Sequence, residues 1–525
     1  MDFVTSRLND TPLDPFIKKI YLELPKPSLN DNTADVDRLI KGLKKNKKFA
    51  GVQLWNYDFD FISSTLRNSD FKVTSILADD HNIPKMLGVE SGDTSGRNFG
   101  VGVDIGSTRL AFYFLDLTSG KLIEKRSVDN PQIPHGEDIL TRIVYAREQE
   151  HKEQLRKELL DCCNNTVVEM CKDHNVDLNE IYSWSFAGNT TMTHFFLGLN
   201  SQNICKEPYI PVINRIPIMP VSRIGLKTNL DGLAYVFPNV GSYFGGDILA
   251  GILVTGMHRR EEVSILVDVG TNAEVVIGNK DWLIGCAGAA GPALEGGVVQ
   301  VGMMAKPGAI DKVRINRETL EPEYTVIGNE KPKGICGSGL IDLVAEMFEA
   351  GILDIQGKIN TKLSHPRIKL IDDVPAYVVV PGKDSATGTD IAVTEVDIKI
   401  LLKSKAAMFT ILTIVARKVG LELKNIERFY VAGTFGNHID PEKAITIGML
   451  PDLPRDRYIP VGNTSGVGAA QILLCGKLIG EVEDICNKIT YIELNVNAEL
   501  MAEFRGALFI PHTHRELFPS VTAWM

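Results

Sequence analysis

Two short segments place an aspartate, a glycine and hydroxyl-bearing residues in a turn between predicted strands. The first segment reads DIGST from Asp104, and the second reads DVGTN from Asp268. Glycine allows such a turn to bring its backbone close to a ligand. Turn amides and hydroxyls can then bind phosphate oxygens, and carboxylates can hold Mg²⁺ through its waters. We therefore predict two phosphate-binding loops, with Asp104 and Asp268 as Mg²⁺ ligands through water; the loops comprise Asp104, Gly106, Ser107 and Thr108, and Asp268, Gly270, Thr271 and Asn272.

Two further glycine-rich turns follow predicted strands and open helices. The segment AGTFGNHI contains Gly433, Thr434 and Gly436, where a base or ribose can approach the backbone. The segment GICGSGLIDL places Gly337 and Ser338 before an amphipathic helix. All five residues are predicted to contact ATP, although a tight helix entry would also explain Gly337.

Asp247 is a single carboxylate at a glycine-rich helix start, in FGGDILAGIL. An N-cap role explains an aspartate at such a position. The alternative is a catalytic role, in which the carboxylate orients the water that attacks the γ-phosphate. His194 and His438 follow the two Ala-Gly turns without cysteines or carboxylates at metal-binding spacing, so both are predicted to be structural.

The order of predicted elements occurs twice along the chain. Each half has a strand–turn–strand unit, a helix (157–174 or 394–420), and then a strand that ends in an Ala-Gly turn (182–196 or 427–440). This duplication predicts an α/β fold with two similar lobes, mixed sheets and outer helices. The two phosphate loops would then face each other across a pseudo-twofold cleft.

Composition limits the other classes of function. The chain has 525 residues and a net charge of −10, which argues against a nucleic-acid or anionic-membrane binder. It has neither an apolar signal segment nor a window near the roughly 20 apolar residues of a membrane helix, so a cytoplasmic location is expected. Its eight cysteines include no C-x-x-C pair and no C-x4-C-x2-C run. Ligands for an iron–sulfur cluster are therefore not evident.

Together these motifs resemble the ATPase superfamily of actin, sugar kinases and heat-shock chaperones. Longer segments resemble the reductive activators of corrinoid proteins; these include NPQIPHGEDILTRI, AGNTTMTHFFLGL, CAGAAGPALEGG and VAGTFGNHIDPEKAITIGMLPDLP. The resemblance covers essentially the whole chain. It implies a duplicated actin-like ATPase with ribonuclease H-like lobes, preceded by a small α/β domain. The predicted division is a linker (1–30), a small α/β middle domain (31–97), a first lobe (98–258), and a second lobe (259–525) with an insertion at about 295–393.

The resemblance also implies a function. Members use ATP and Mg²⁺ to restore the inactive cobalt(II) corrinoid of a methyl-transferring protein to cobalt(I), and a homodimer is expected. Many relatives carry a ferredoxin-like [2Fe–2S] domain, whereas this sequence shows no cluster cysteines. Electrons are therefore expected from a separate ferredoxin-like protein or another donor. The first loop also departs from a run of threonines: Ser107 keeps a hydroxyl, and Arg109 has no assigned role.

Three alternatives stay open on the sequence. A small-molecule kinase of the same superfamily would use Asp247 as its base. An activator of 2-hydroxyacyl-CoA dehydratases would need cysteines for a [4Fe–4S] cluster between subunits, for which Cys286 and Cys336 are the glycine-flanked candidates. An actin-like scaffold or chaperone is the third alternative.

Overall fold

The chain folds into two units, Met1–Val254 with Thr464–Asn487, and Thr255–Asn463 with Lys488–Met525. The computed structural model describes residues 3–55, 57–80, 83–270, 272–289, 299–436, 438–493 and 498–523. Within these residues, no helix has both the length and the apolar character required to cross a bilayer. The four-part division predicted from the sequence stays a prediction.

The first 91 residues form a small α/β domain. Its four-stranded sheet has the order β1-β3-β4-β2. Helices α2 and α3 contribute leucine and isoleucine side chains to its core, including Leu39, Leu43, Ile62 and Leu66. The elements are α1 (Phe3–Asn9), β1 (Ile17–Glu23), α2 (Asp35–Lys44), β2 (Gln53–Leu54), α3 (Phe59–Asn68), β3 (Lys72–Asp80) and β4 (Ile83–Ser91).

Residues 99–255 form the first lobe around a six-stranded sheet of order β7-β6-β5-β8-β10-β9. Strands β8 and β10 run parallel to β5. The elements are β5 (Phe99–Ile105), β6 (Arg109–Asp116), β7 (Lys121–Asp129), α4 (Ile139–Tyr145), α5 (Gln149–His174), β8 (Ile181–Gly188), α6 (Thr190–Leu197), β9 (Met219–Pro220), α7 (Val221–Ile224), β10 (Leu233–Val236) and α8 (Gly246–Thr255).

The second lobe is built on a sheet of order β21-β20-β11-β12-β13-β22, with two additional three-stranded sheets, β15-β14-β16 and β17-β18-β19. Helix α13 belongs to the first unit, where it packs against β5 and β8. The elements are β11 (Ser264–Val269), β12 (Asn272–Gly278), β13 (Leu283–Ala289), β14 (Ala309–Ile315), β15 (Pro322–Val326), β16 (Gly334–Ile335), α9 (Gly337–Glu349), β17 (Ile368–Ile371), β18 (Val374–Val380), β19 (Ile391–Thr394), α10 (Glu395–Lys418), β20 (Arg428–Ala432), α11 (Gly433–Gly436), α12 (Pro441–Thr446), β21 (Tyr458–Gly462), α13 (Thr464–Leu474), α14 (Leu478–Lys488), β22 (Ile489–Glu493) and α15 (Ala498–Ala507).

The two large sheets share one strand arrangement. The run β7-β6-β5-β8-β10 of the first lobe corresponds to β13-β12-β11-β20-β21 of the second. The register is conserved as well, because Asp104 pairs with Ala187 and Asp268 pairs with Ala432. The predicted α/β fold with duplicated lobes is confirmed.

Candidate functional site

In the first unit, the predicted site residues lie at one edge of the six-stranded sheet. Strands β5, β8 and β10 are parallel, so their carboxyl ends meet at this edge, which is where open α/β sheets bind ligands. A Cβ atom on Gly188 would lie 2.9 Å from the Ile105 carbonyl oxygen. One on Gly245 would lie 2.6 Å from the Thr190 amide nitrogen. The turns after the three strands are therefore in direct backbone contact.

The first phosphate loop is held in place by Asn130. Its Nδ2 donates to the Gly106 carbonyl oxygen at 2.8 Å, and its backbone N–H donates to the Thr108 carbonyl oxygen at 2.9 Å. Its Oδ1 accepts from the Gln132 amide at 2.9 Å, and the residue is 2% exposed. Two loop carbonyls are thus satisfied inside the protein, which leaves the hydroxyls of Ser107 and Thr108 available to a ligand.

Sequence reasoning missed this role of Asn130. The residue opens the segment NPQIPHGEDILTRI, which had been used only as evidence of family resemblance. An asparagine directly before a proline at the end of a strand is the one local signal, because asparagine commonly bonds to nearby backbone in turns.

Arg109 has a structural place next to this loop. It pairs in register with Asp129 of the adjacent strand, and its Nε lies 3.2 Å from the Asp129 carboxylate. Both side chains are more than half exposed, so the ion pair contributes little to stability. The Arg109 carbonyl oxygen is the more important group, since any side chain at Gly106 would collide with it.

Asp247 lies inside the first turn of α8, which begins at Gly246. Its Oδ1 accepts from the Ile248 amide at 2.8 Å, one residue onward. An N-cap residue instead accepts from an amide two or three residues onward, so the capping interpretation is wrong. Burial raises the pKa of the Asp247 carboxyl to about 6, against the lowering effect of the backbone hydrogen bonds. A carboxyl that titrates near neutrality suits acid–base catalysis.

In the second unit, the second phosphate loop meets the predicted adenosine loop. Gly433 has φ of +84°, and a Cβ atom there would lie 2.8 Å from Asp268 Oδ1 and 3.4 Å from the Val269 carbonyl oxygen. The structure thus brings together the carboxylate of one predicted loop and the backbone of another. Only glycine gives both the positive φ and the space for this approach.

Several predicted residues are positioned by their backbone alone. Gly436 ends the short helix α11, and a Cβ atom there would lie 2.6 Å from the Val431 carbonyl oxygen. Gly270 directly follows β11, between the Asp268 carboxylate and β12. Thr271 lies outside the described residues, and only the backbone positions of Asn272 and Thr434 are described.

Gly337 and Ser338 form the first turn of α9 and are both buried. The Ser338 hydroxyl donates to the Asp311 carbonyl oxygen at 3.1 Å. A Cβ atom on Gly339 would lie 2.5 Å from the Ile310 carbonyl oxygen. The hydroxyl and the third glycine therefore fix the helix entry against β14, while the free amides of this first turn are the groups able to meet an anion.

The other chemical candidates have structural surroundings. His194 is fully buried and is bonded on both ring nitrogens, to the Thr190 carbonyl oxygen at 2.7 Å and the Val212 amide at 3.1 Å. This confirms its predicted structural role, whereas His438 is exposed. Cys286 and Cys336 are both buried inside the second unit. Among the described residues, no group of three or more histidine, cysteine, aspartate or glutamate side chains is arranged to hold a metal ion.

Comparison with known proteins identifies the family. Residues 6–96 match a model of the RACo linker region, and residues 99–260 match one of the RACo middle region. Residues 262–522 match a model of the C-terminal domain of RACo, the ASKHA domain. The corrinoid activation enzyme RamQ of Eubacterium limosum is 31% identical over 418 residues, which cover 77% of this chain and 69% of RamQ. The chain belongs to the RACo family.

Two further relatives agree with this membership. The [Co(II) methylated amine-specific corrinoid protein] reductase of Methanosarcina barkeri is 24% identical over 421 residues, which cover 75% of this chain and 73% of that protein. A solved structure of a reductive activator for a corrinoid, iron–sulfur protein is 40% identical, with a TM-score of 0.88. That match covers 98% of this RACo-family chain and 82% of the other chain.

We predict that Gly433→Ala abolishes ATP binding, because the added methyl group would displace the Asp268 carboxylate. The positive φ at this position also costs an L-residue about 1–2 kcal/mol. Gly420→Ala is the matched control, since Gly420 has φ of +71° and nothing within 4 Å of its Cβ position. Calorimetric titration with ATP, together with thermal unfolding, should show similar destabilisation of both variants and loss of binding only in Gly433→Ala. Equal ATP affinity in the two variants would refute the contact's importance.

We also predict that Asn130→Asp weakens ATP binding about tenfold, because the loss of one buried hydrogen bond is typically about 1–3 kcal/mol. Aspartate keeps the acceptor for the Gln132 amide but cannot donate to the Gly106 carbonyl. Asn164→Asp is the control, because Asn164 likewise donates to a carbonyl, that of Gly225, and accepts from an amide, that of Lys227, away from the predicted loops. The same weakening in both variants would indicate a general loss of stability.

Proposed function

We propose that this protein restores the corrinoid of a methyl-transferring protein from cobalt(II) to cobalt(I) in an ATP-dependent reaction. The observation that carries this proposal is the structural match to a reductive activator over 98% of the chain, at 40% identity. Both curated relatives are also named for action on corrinoid proteins. These relatives support the activator over the small-molecule kinase, which would share only the ATP-binding part of the fold.

The residues proposed to bind ATP are those at the carboxyl ends of the parallel strands. Ser107 and Thr108 of the first loop, and Gly270 with Asn272 of the second, would bind phosphate oxygens. Gly433, Thr434 and Gly436 would accommodate adenosine, and the α9 entry at Gly337 and Ser338 would offer helix N-terminal amides. Support comes from the Asn130 clamp on the first loop and from the Asp268–Gly433 contact.

Asp104 and Asp268 are proposed to hold Mg²⁺ through water. Their carboxylate oxygens are the hard ligands that Mg²⁺ prefers, and each lies beside a loop able to bind phosphate. Bound Mg²⁺ would neutralise charge that develops on the phosphate oxygens. Asp247 is proposed to orient the attacking water, because its buried carboxyl is ionised at neutral pH and sits at the same sheet edge as Gly106 and Gly188.

The electron is proposed to come from a separate donor protein. One electron passes from the donor to cobalt(II), which becomes cobalt(I), while ATP and water give ADP and phosphate. The two coupled events need a protein state that favours both the reducible corrinoid complex and bound ATP. The buried positions of Cys286 and Cys336 do not suit a cluster shared between subunits. A homodimer and a cytoplasmic location stay predictions.

The central test is formation of cobalt(I). Anaerobic mixtures of the protein, Mg-ATP, a one-electron reductant and a cobalt(II) corrinoid protein should develop the cobalt(I) absorption spectrum. Asp268→Ala should not, because it removes the carboxylate beside Gly433. Asp129→Ala is the control, since Asp129 is an exposed carboxylate near the first loop that contacts Arg109. Wild-type rates in Asp268→Ala, or reduction without ATP, would contradict the proposal.

A second test concerns Asp247. Its pKa is raised to about 6, so its carboxyl is ionised above pH 6 and protonated below. The rate of ATP hydrolysis should therefore fall as the pH is lowered through about 6, and Asp247→Asn should lose about 10²–10⁴-fold at all pH values. Asp231→Asn is the control, because burial also raises the pKa of that carboxyl. A pH profile unchanged by Asp247→Asn would contradict the catalytic role.

A further inference from the structure

The small N-terminal domain exposes an unusual number of aromatic side chains. Between residues 55 and 61, four alternate residues are exposed by 39, 70, 48 and 50%: Trp55, Tyr57, Phe59 and Phe61. Aromatic residues make up 7% of the whole sequence, so four in seven residues is a strong local concentration. Exposed apolar surface of this kind typically marks a binding site for another molecule.

This aromatic segment borders an open groove with a volume of about 1010 Å³. The groove lies between the loop at residues 27–33, helix α2 and helix α3. Phe59 lines it, together with Leu54 and the completely exposed Leu29. We call the four aromatic residues and this groove the aromatic–acidic face. Its apolar centre is concave, which suits insertion of a partner's side chains.

The charges on the aromatic–acidic face are mainly negative. Asp31 and Asp35 are paired with Arg38 and Arg67 at 2.5 and 2.7 Å. Asp37 and Asp60 also line the groove, and both are exposed. Within the part of the chain that the structure describes, neither of these two forms an ion pair. The face therefore presents two uncompensated carboxylates beside apolar groups.

One contact shows how this face accommodates a cation. The Lys85 ammonium lies over the Trp55 ring, 4.3 Å from its centroid. The neighbouring Tyr57 and Phe59 rings are 6.2 Å apart and edge-to-face. Aromatic faces next to carboxylates attract lysine and arginine side chains through cation–π and ionic interactions. A second copy of this chain would bring an equally acidic face, so self-association here is disfavoured.

We propose that the aromatic–acidic face docks the corrinoid protein, through a patch of that protein in which lysine or arginine side chains surround apolar ones. This inference rests on the proposed function, because that function requires a complex with a corrinoid protein. Tyr57 and Phe61 act as apolar anchors, and Asp37 and Asp60 provide charge complementarity.

The test measures the dissociation constant of the complex with a cobalt(II) corrinoid protein, and its KM in the cobalt(I) assay. Tyr57→Ala with Phe61→Ala should raise both about tenfold or more, as expected for anchor residues. Asp37→Lys with Asp60→Lys should raise both and weaken their dependence on salt concentration. The kcat at saturating corrinoid protein should change much less than KM. Thermal unfolding checks that each variant is folded.

Matched controls lie elsewhere in the same unit. Leu140→Ala with Val144→Ala removes two apolar side chains of similar exposure, 48 and 52%. Asp10→Lys reverses an exposed carboxylate that does not line the groove. Both controls should keep the wild-type dissociation constant.

The outcomes separate the two levels of inference. If the wild-type protein reduces the corrinoid protein and the face variants do so with unchanged KM, the docking proposal is overturned and the function stands. A rise in KM for the electron donor alone, or a changed oligomeric state alone, also overturns it by assigning the face to another partner. If the wild-type protein neither binds nor reduces corrinoid proteins, both proposals fail.

Discussion

The candidate nucleotide site depends on one close approach, that of the Gly433 backbone to the Asp268 carboxylate. It follows from strand pairing: β11 and β20 are parallel and place Asp268 beside Ala432, so the chain must leave β20 next to the carboxylate. A left-handed residue at position 433 turns the chain into α11 without covering the oxygen. Parallel register and one glycine together hold a metal-binding carboxylate and a nucleotide-binding turn in contact.

The first lobe uses the same register with a different supporting group. Asp104 pairs with Ala187, and Gly188 closes against the Ile105 carbonyl oxygen. Here the loop is additionally fixed by Asn130, whose side chain and backbone together hold two loop carbonyls. A buried amide that satisfies several backbone groups is costly to disturb, because every group left unpaired carries its own desolvation cost. The duplication therefore repeats the strand geometry, while the groups that stabilise each loop differ.

The sequence was sufficient to predict the features that depend on local chemistry repeated in two places. The Asp–Gly turns and the Ala-Gly turns could be aligned residue for residue, and this alignment predicts the duplicated fold. Asn130 could not be assigned in the same way, since its partners Gly106 and Thr108 are more than 20 residues away and only the pairing of β6 with β7 brings them close. Asp247 was misassigned as a cap because a carboxylate at a helix start has the same local pattern in both roles. The groove of the small domain depends on how α2 and α3 pack, which local pattern does not specify.

Docking on the small domain and ATP binding in the first lobe require a physical connection, and the first unit contains one. Lys19 of β1 lies 2.5 Å from the Glu90 carboxylate of β4, which also accepts from the Tyr182 hydroxyl at 2.6 Å. The Lys19 side chain is only 2% exposed, and removal of one partner from such a pair typically costs about 3–5 kcal/mol. Tyr182 lies near the start of β8, and the same strand ends at Gly188 beside the first phosphate loop. The small sheet and the loop edge are thus joined by a buried ionic contact and one eight-residue strand. Coupling energies of about 1–3 kcal/mol are typical of linked binding sites. They are smaller than the cost of breaking this contact, so the connection can transmit a bias between the two sites without coming apart.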